Sequence, residues 1–279
     1  MKPAPFGYLR PESVAEACEA LARHGEEARI LAGGQSLGAM LNMRLVRPAL
    51  LVDINRLDTL SKIEVTNEAV ITGAMVRQAD ALADARIRNN VPLLSMALPH
   101  VGHYQTRNRG TLGGSVAHAD PSAEIPLVLA TLGGEVELKS ARRTRRVRAG
   151  DFFRSALVTA RAPEEVITAL HWPAAGQRTR YAFEEFSVRG GDYAIVAVAC
   201  ALDEERRSVR LGFGGCGEAP QVVELGYGPE AIAQIAADAA GKIECRADLQ
   251  ASTAYRRNLA VVLARRVLTA ASMRQAVSA

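Results

Sequence analysis

Apolar and polar positions follow two rhythms along the chain. In the first, up to about residue 175, short apolar runs alternate with segments of helical period. Ser13 to Glu16 form a capping box, and Val14, Ala17, Cys18 and Leu21 then share one face, predicting a helix that stops near Gly25. Ala28 to Ala32 reads as a buried strand running straight into Gly33-Gly34, and 50–54 and 69–72 as further strands. Helices are predicted over 77–83 and 92–99. A glycine-rich turn at 110–115 leads to a helix at 122–131, then strands near 134–139 and 144–148.

After about residue 175 the rhythm changes. Segments 180–188, 195–203 and 208–214 are joined by short turns and predict an antiparallel meander. Segments 229–239 and 248–271 have helical period; in the latter Tyr255, Leu259, Val262, Leu263 and Val267 are the predicted core face. The boundary is placed around 173–177, giving an N-terminal domain over 1–175, with lobes of about 1–56 and 57–175, and a C-terminal domain over 176–279.

Composition narrows the class. With 279 residues, 48% hydrophobic and 23% charged, the chain can bury a core without staples, and two domains are the natural expectation. No apolar run approaches a membrane span, and the opening MKPAPFGYLRPES has no secretory apolar region. Cys18, Cys200, Cys216 and Cys245 are scattered without a CxxC pair. That argues against an iron–sulfur or zinc site in this chain and fits a reducing cytoplasm. The net charge of +4 is mild. Its densest patch, Arg142 to Arg148, lacks interleaved aromatics, so a solvated hairpin face or a protein contact is expected rather than nucleic-acid binding.

Two segments carry chemistry. In Ala32-Gly33-Gly34-Gln35-Ser36-Leu37 the glycine pair permits close backbone approach, and free N–H groups with the Ser36 hydroxyl could cradle a pyrophosphate. The spacing is neither GxGxxG nor a P-loop, and taken alone such a segment is more often just a tight turn. A second glycine pair, Gly113-Gly114, lies between Thr111 and Ser115, with Asp120 and Glu124 close behind as carboxylates for ribose hydroxyls. For Asp120-Pro121 a cap or turn is the competing reading. His100 and His103, three apart, superficially suggest a metal pair, but no third ligand is evident and a structural or surface role is expected. His118 is expected to be structural or cofactor-proximal.

Together AGGQSL at 32–37 and RNRGTLGGSVAHADPSAE at 107–124 resemble the FAD-binding subunits of the xanthine dehydrogenase and carbon monoxide dehydrogenase group of molybdenum hydroxylases. The resemblance runs from Phe6-Gly-Tyr-Leu-Arg-Pro to the C-terminal helix. It implies an α+β fold: a two-lobed FAD domain of the vanillyl-alcohol-oxidase (PCMH) type, then a small domain with an antiparallel sheet and helices. It further implies non-covalent FAD, with Ala32 to Leu37 on one side of the pyrophosphate and Thr111, Gly113, Gly114 and Ser115 on the other. Glu124, or Asp120 as alternative, falls near the ribose, Ile167 beside the adenine and Tyr193 near the isoalloxazine. Where several members carry a lysine beside the flavin, this chain has Glu184 and Glu185.

The implied function is electron transfer. Substrate is hydroxylated at a molybdenum cofactor on a large subunit, electrons pass two [2Fe-2S] clusters on a small subunit, and FAD hands them to an external acceptor. A dimer of heterotrimers is usual among relatives. The main rival is a self-contained FAD oxidase or dehydrogenase, for which the residues after 175 are few; a flavin-free linking subunit sits poorly with two glycine segments.

Overall fold

The computed structural model describes residues 2–273. The first lobe contains β1 (Gly7–Leu9), α1 (Val14–His24), β2 (Ala28–Leu31), α2 (Leu37–Asn42) and β3 (Leu50–Asp53). The strands form a parallel sheet in the order β1-β3-β2. Ser13 caps α1 by accepting from the Glu16 N–H at 3.1 Å. The return bond goes from Glu12 N–H to the Glu16 carboxylate at 2.7 Å, one residue earlier than a capping box requires. Gly25, at φ +52°, ends the helix. Ala17, Cys18 and Leu21 press α1 onto Val52 and Ile54 in a small core of their own.

The second lobe comprises β4 (Ile63–Val65), β5 (Ala69–Gly73), α3 (Gln78–Ala83), α4 (Ala85–Asn90), α5 (Pro92–Ala97), α6 (Tyr104–Arg109), α7 (Leu112–His118) and α8 (Glu124–Leu132). It continues through β6 (Glu135–Lys139), β7 (Thr144–Arg148), α9 (Ala149–Phe152), β8 (Phe153–Ser155), β9 (Val158–Thr159) and β10 (Val166–Pro173). An antiparallel sheet runs β4-β5-β10-β6-β7. Its central strand β10 has no counterpart among the predicted elements: with both faces covered, its run of apolar residues lacks a period of two. The arginine-rich stretch is the β6–β7 hairpin, as expected, except that Arg145 turns back to a bidentate pair with buried Glu165 at 2.7 and 2.8 Å.

The C-terminal part holds β11 (Thr179–Phe186), β12 (Val196–Asp203), β13 (Ser208–Gly214), β14 (Gln221–Gly226), α10 (Ile232–Lys242) and α11 (Thr253–Met273). The strands make an antiparallel meander in sequence order, with β14 added to the three predicted. β12 is buried on both faces. Ala197, Ala199 and Ala201 face the second lobe, while Val196, Val198, Cys200 and Leu202 face α10 and α11. Small residues on the first face let α8 lie close against the sheet: a Cβ at Gly212 would stand 1.9 Å from Thr131 Oγ1. One consequence corrects the sequence reading of α11. Its buried stripe is Arg256, Ala260, Leu263, Ala264, Val267, Leu268 and Ala271, whereas Tyr255 is exposed. Arg256 is buried because its guanidinium donates to the carbonyls of Ile195 and Gly215 and to Asp248.

Candidate cofactor-binding site

A cleft of about 920 Å³ lies between the two lobes and reaches the C-terminal part at Gly191 and Tyr193. Its first wall follows from β2. The strand ends at Leu31, and Gly34, at φ +73°, turns the chain into α2. The backbone N–H groups from Gly33 to Leu37 have no acceptor among the described residues. Five successive donors open to one cleft form an anion cradle. Gly33 serves another purpose. A Cβ there would stand 2.3 Å from the Arg109 carbonyl oxygen and 2.9 Å from Gly110 Cα, so glycine is what lets the two walls touch.

A polar bracket holds that contact. Asn55 donates to the Ala32 carbonyl at 2.8 Å and to Asp53 at 2.5 Å, and Tyr8 donates to the other Asp53 oxygen at 2.5 Å. Arg77 then donates to Asn55 Oδ1 at 2.8 Å and, through its other terminal nitrogen, to the Arg109 carbonyl. These residues carry no motif. Only their proximity in space reveals them.

The second wall differs from the expected turn. Residues 112–118 are the helix α7, capped by Thr111, whose hydroxyl accepts from Gly114 N–H at 3.0 Å. Its first N–H groups are committed: Leu112 donates to the Val76 carbonyl and Gly113 to that of Ala74, each at 2.9 Å. A Cβ at Gly113 would come within 2.5 Å of Ala74 Cβ, so this glycine seats α7 on the chain leaving β5. The second segment therefore brings close approach and the Ser115 hydroxyl, while the free donors belong to the first.

Every sequence-predicted site residue lines the cleft except Asp120. Asp120 instead accepts from Ser122 N–H at 2.8 Å, the turn role that its Asp-Pro context allows. Ile167 comes from β10, and Glu124 opens α8. Glu124 is 5% exposed; burial, reinforced by the nearby charges of Glu185 and Asp120, pushes its carboxyl up to about 8. Tyr193 is half open to the cleft, and burial of the remainder together with Asp120 and Glu124 raises its phenol. Burial lowers His118, favouring the neutral imidazole. Arg29 and Arg161, neither picked out from sequence, also line the cleft and add positive charge. His100 and His103 do not share a helix: His100 closes the 3-10 turn 98–100 and pairs with Glu185, while His103 precedes α6.

A parallel small lobe, an antiparallel larger lobe and an anion cradle between them define a protein that holds a dinucleotide cofactor in an extended cleft. The family described as the FAD binding domain in molybdopterin dehydrogenase matches residues 4–175, and the CO dehydrogenase flavoprotein C-terminal domain matches 181–271. The nicotine 6-hydroxylase medium subunit of Paenarthrobacter nicotinovorans is 34% identical, covering 98% of this chain and 100% of that protein. The carbon monoxide dehydrogenase medium chain of Hydrogenophaga pseudoflava is 32% identical over 97% of this chain and 98% of its own. Among solved structures, reconstituted CO dehydrogenase from Oligotropha carboxidovorans superposes with a TM-score of 0.94 at 30% identity, covering 99% of this chain and 100% of that one. Quinoline 2-oxidoreductase from Pseudomonas putida 86 gives 0.91 at 34% identity, covering 98% of each. The chain belongs to the FAD-binding medium subunits of the molybdenum hydroxylases, and it is an oxidoreductase subunit whose cofactor is FAD. No described helix is long and apolar enough to cross a membrane.

Proposed function

We propose that the chain holds one FAD non-covalently in the inter-lobe cleft and relays electrons from iron–sulfur clusters on a partner subunit to an external acceptor. The observation that carries this reading is the row of five unpartnered N–H groups from Gly33 to Leu37 facing α7 across a single cleft. Those donors suit a pyrophosphate, whose charge Arg29 and Arg161 would help to balance. Thr111, Gly113, Gly114 and Ser115 would hold its opposite side, Ile167 would pack on the adenine and Tyr193 on the isoalloxazine. Of the two carboxyls expected near the ribose, Glu124 and not Asp120 lines the cleft.

When bound, the flavin supplies the exchange between paired and single electrons; the residues around it bind, orient and exclude water. The reading extends to the assembly: a large subunit with the molybdenum cofactor and a small one with two [2Fe-2S] clusters, forming a heterotrimer that can pair into a dimer in a reducing cytoplasm. The four free cysteines agree with such a compartment. The division of the chain at about residue 176 belongs to the same proposal.

Purification from native cells tests it. One flavin per chain, with co-purifying larger and smaller chains and molybdenum and iron, is expected. A lone yellow protein reduced directly by a small substrate would overturn the subunit assignment.

A further inference from the structure

Gly110 belongs to the second glycine segment, yet neither a turn nor the cradle requires glycine there. Its backbone sits at φ −57° and ψ 144°, an extended conformation open to any residue. A Cβ at this position would nevertheless stand 2.4 Å from Gln78 Oε1, 2.7 Å from its Cδ and 3.0 Å from its Nε2. The position is glycine because the carboxamide of Gln78 lies against its Cα.

Gln78 is fixed from its backbone outward. Its N–H donates to the Gly110 carbonyl at 2.9 Å, and the preceding Arg77 forms an antiparallel bridge with Thr111. The residue is 5% exposed and lines the cleft. Its Oε1 is enclosed with no hydrogen-bond partner among the described residues, whereas Nε2, which has no acceptor there either, is the polar end open to the cleft. Turning the amide over would enclose two unpaired N–H donors in place of one acceptor, so the nitrogen faces outward. An enclosed polar atom without a partner is costly, and its retention calls for a gain at the other end of the same group. The position of that end is informative. Gly110 Cα is also the atom that a Cβ at Gly33 would meet at 2.9 Å, so the amide emerges at the seam where the free N–H groups of residues 33–37 begin. The second lobe otherwise has few donors there. Leu112 and Gly113 give their N–H groups to carbonyls, and Gly114 gives its own to the Thr111 hydroxyl.

We propose that Gln78 is a further cofactor-binding residue: its side-chain amide donates from the second lobe to the pyrophosphate that the cradle holds from the first, with Gly110 as its seat. The proposal rests on the FAD reading above. An N–H donor gains most from a charged oxygen, so the phosphates rather than the sugar hydroxyls are the partner it favours. The cradle is made of backbone and tolerates changes of side chain. Gln78 places a side-chain donor in the same grip, so the hold on the cofactor becomes sensitive to substitution at one position of the facing lobe.

Calorimetric titration of flavin-free protein with FAD, and with ADP, which shares the pyrophosphate but lacks the flavin, tests the assignment. Gln78→Met keeps the length of the side chain and removes the donor; affinity for both ligands should fall by the same factor, about tenfold to a hundredfold. Gln78→Glu sets a negative charge beside the phosphates and should cost at least about ten times more than Gln78→Met. Gly110→Ala should weaken both ligands in the original chain by displacing the carboxamide. In a Gln78→Ala background, where its Cβ meets no carboxamide, it should add nothing. Should the Gln78 variants not fold, Gly110→Ala alone carries the comparison. ADP affinity within a factor of two of the original in the folded variants overturns the assignment. Equal losses in Gln78→Met and Gln78→Glu, the mark of a purely structural side chain, do so as well, as do additive effects of Gly110→Ala and Gln78→Ala. An original chain that binds neither FAD nor ADP removes the FAD reading instead, whereas one that binds both beside unimpaired variants removes this proposal alone.

Discussion

Removing the Arg77 side chain tests whether the polar bracket sets the width of the cleft. Its guanidinium bonds Asn55, which holds the Ala32 carbonyl, and also the Arg109 carbonyl ahead of α7. Arg77→Ala deletes two charge-assisted hydrogen bonds, each worth about 1.5–3 kcal/mol in general. Because Arg77 is only partly buried, the lower value applies, giving a loss of about 3 kcal/mol. If the bracket serves only to join the lobes, the whole loss falls on the flavin-free fold. If it also presets the facing walls, binding must restore their spacing, and about half or more of that energy is drawn from the ligand. FAD affinity would then fall roughly tenfold to a hundredfold, since about 1.4 kcal/mol is a factor of ten. Calorimetric titration of flavin-free protein with FAD measures this directly, with denaturant midpoints on the same samples. Asn55→Ala and the double variant complete a cycle, in which a coupling of about 1 kcal/mol or more is expected between touching residues. An FAD affinity within a factor of two of the original, alongside a clear loss of stability, would refute the idea that the bracket presets the cleft.

Three further outcomes follow from the same geometry. Gly34→Val should cost about 1–2 kcal/mol in left-handed backbone strain and abolish FAD retention; stoichiometric flavin in the purified variant contradicts this. Glu124 has a folded-state pKa of about 8 against an ordinary 4.5, so the folded state binds the extra proton between those values. Its contribution to stability is complete below about 4.5 and is lost as pH rises through about 8; urea midpoints across this window should fall with a slope that Glu124→Gln reduces. Trp172 Nε1 donates to Thr72 Oγ1 at 3.0 Å in the core, so Trp172→Phe should lower stability by about 1–3 kcal/mol without changing the denaturant slope.

Local order was most readable where a full set of signals falls on an element with one solvated face. α1 carries its cap, stripe and terminal glycine in the thirteen consecutive residues from Ser13 to Gly25, and the predicted and observed helices coincide. β10, covered on both sides, lost its period and was missed, although the equally covered β12 was read from its place in the meander; the glycines of α7 read as a turn because helix propensity is outweighed there by seating against Ala74. At the cleft, glycine and hydroxyl positions were legible because backbone approach restricts residue type. Asn55, Arg77, Arg29 and Arg161 were not, since each is an ordinary polar residue until the lobes bring it to the wall. Asp120 looked equivalent to Glu124 in the sequence; the turn at Pro121 sends one into a local bond and the other into the cleft.

The burial of α8 bears on how the protein must be assembled. Eight of its nine residues are buried, and its body lies beneath β12 and β13 while its first residue faces the cleft. The helix thus closes the second lobe only when the C-terminal sheet covers it. Synthesis delivers the cleft walls well before that cover, so the cradle can exist in outline yet lack its final shape until β13 arrives. A chain ending near residue 175 would present the apolar side of α8 to water, where association with another such surface is the favourable course. Cofactor loading is therefore expected as a late event in biogenesis, gated by completion of the far end of the chain rather than by the glycine segments that touch the ligand.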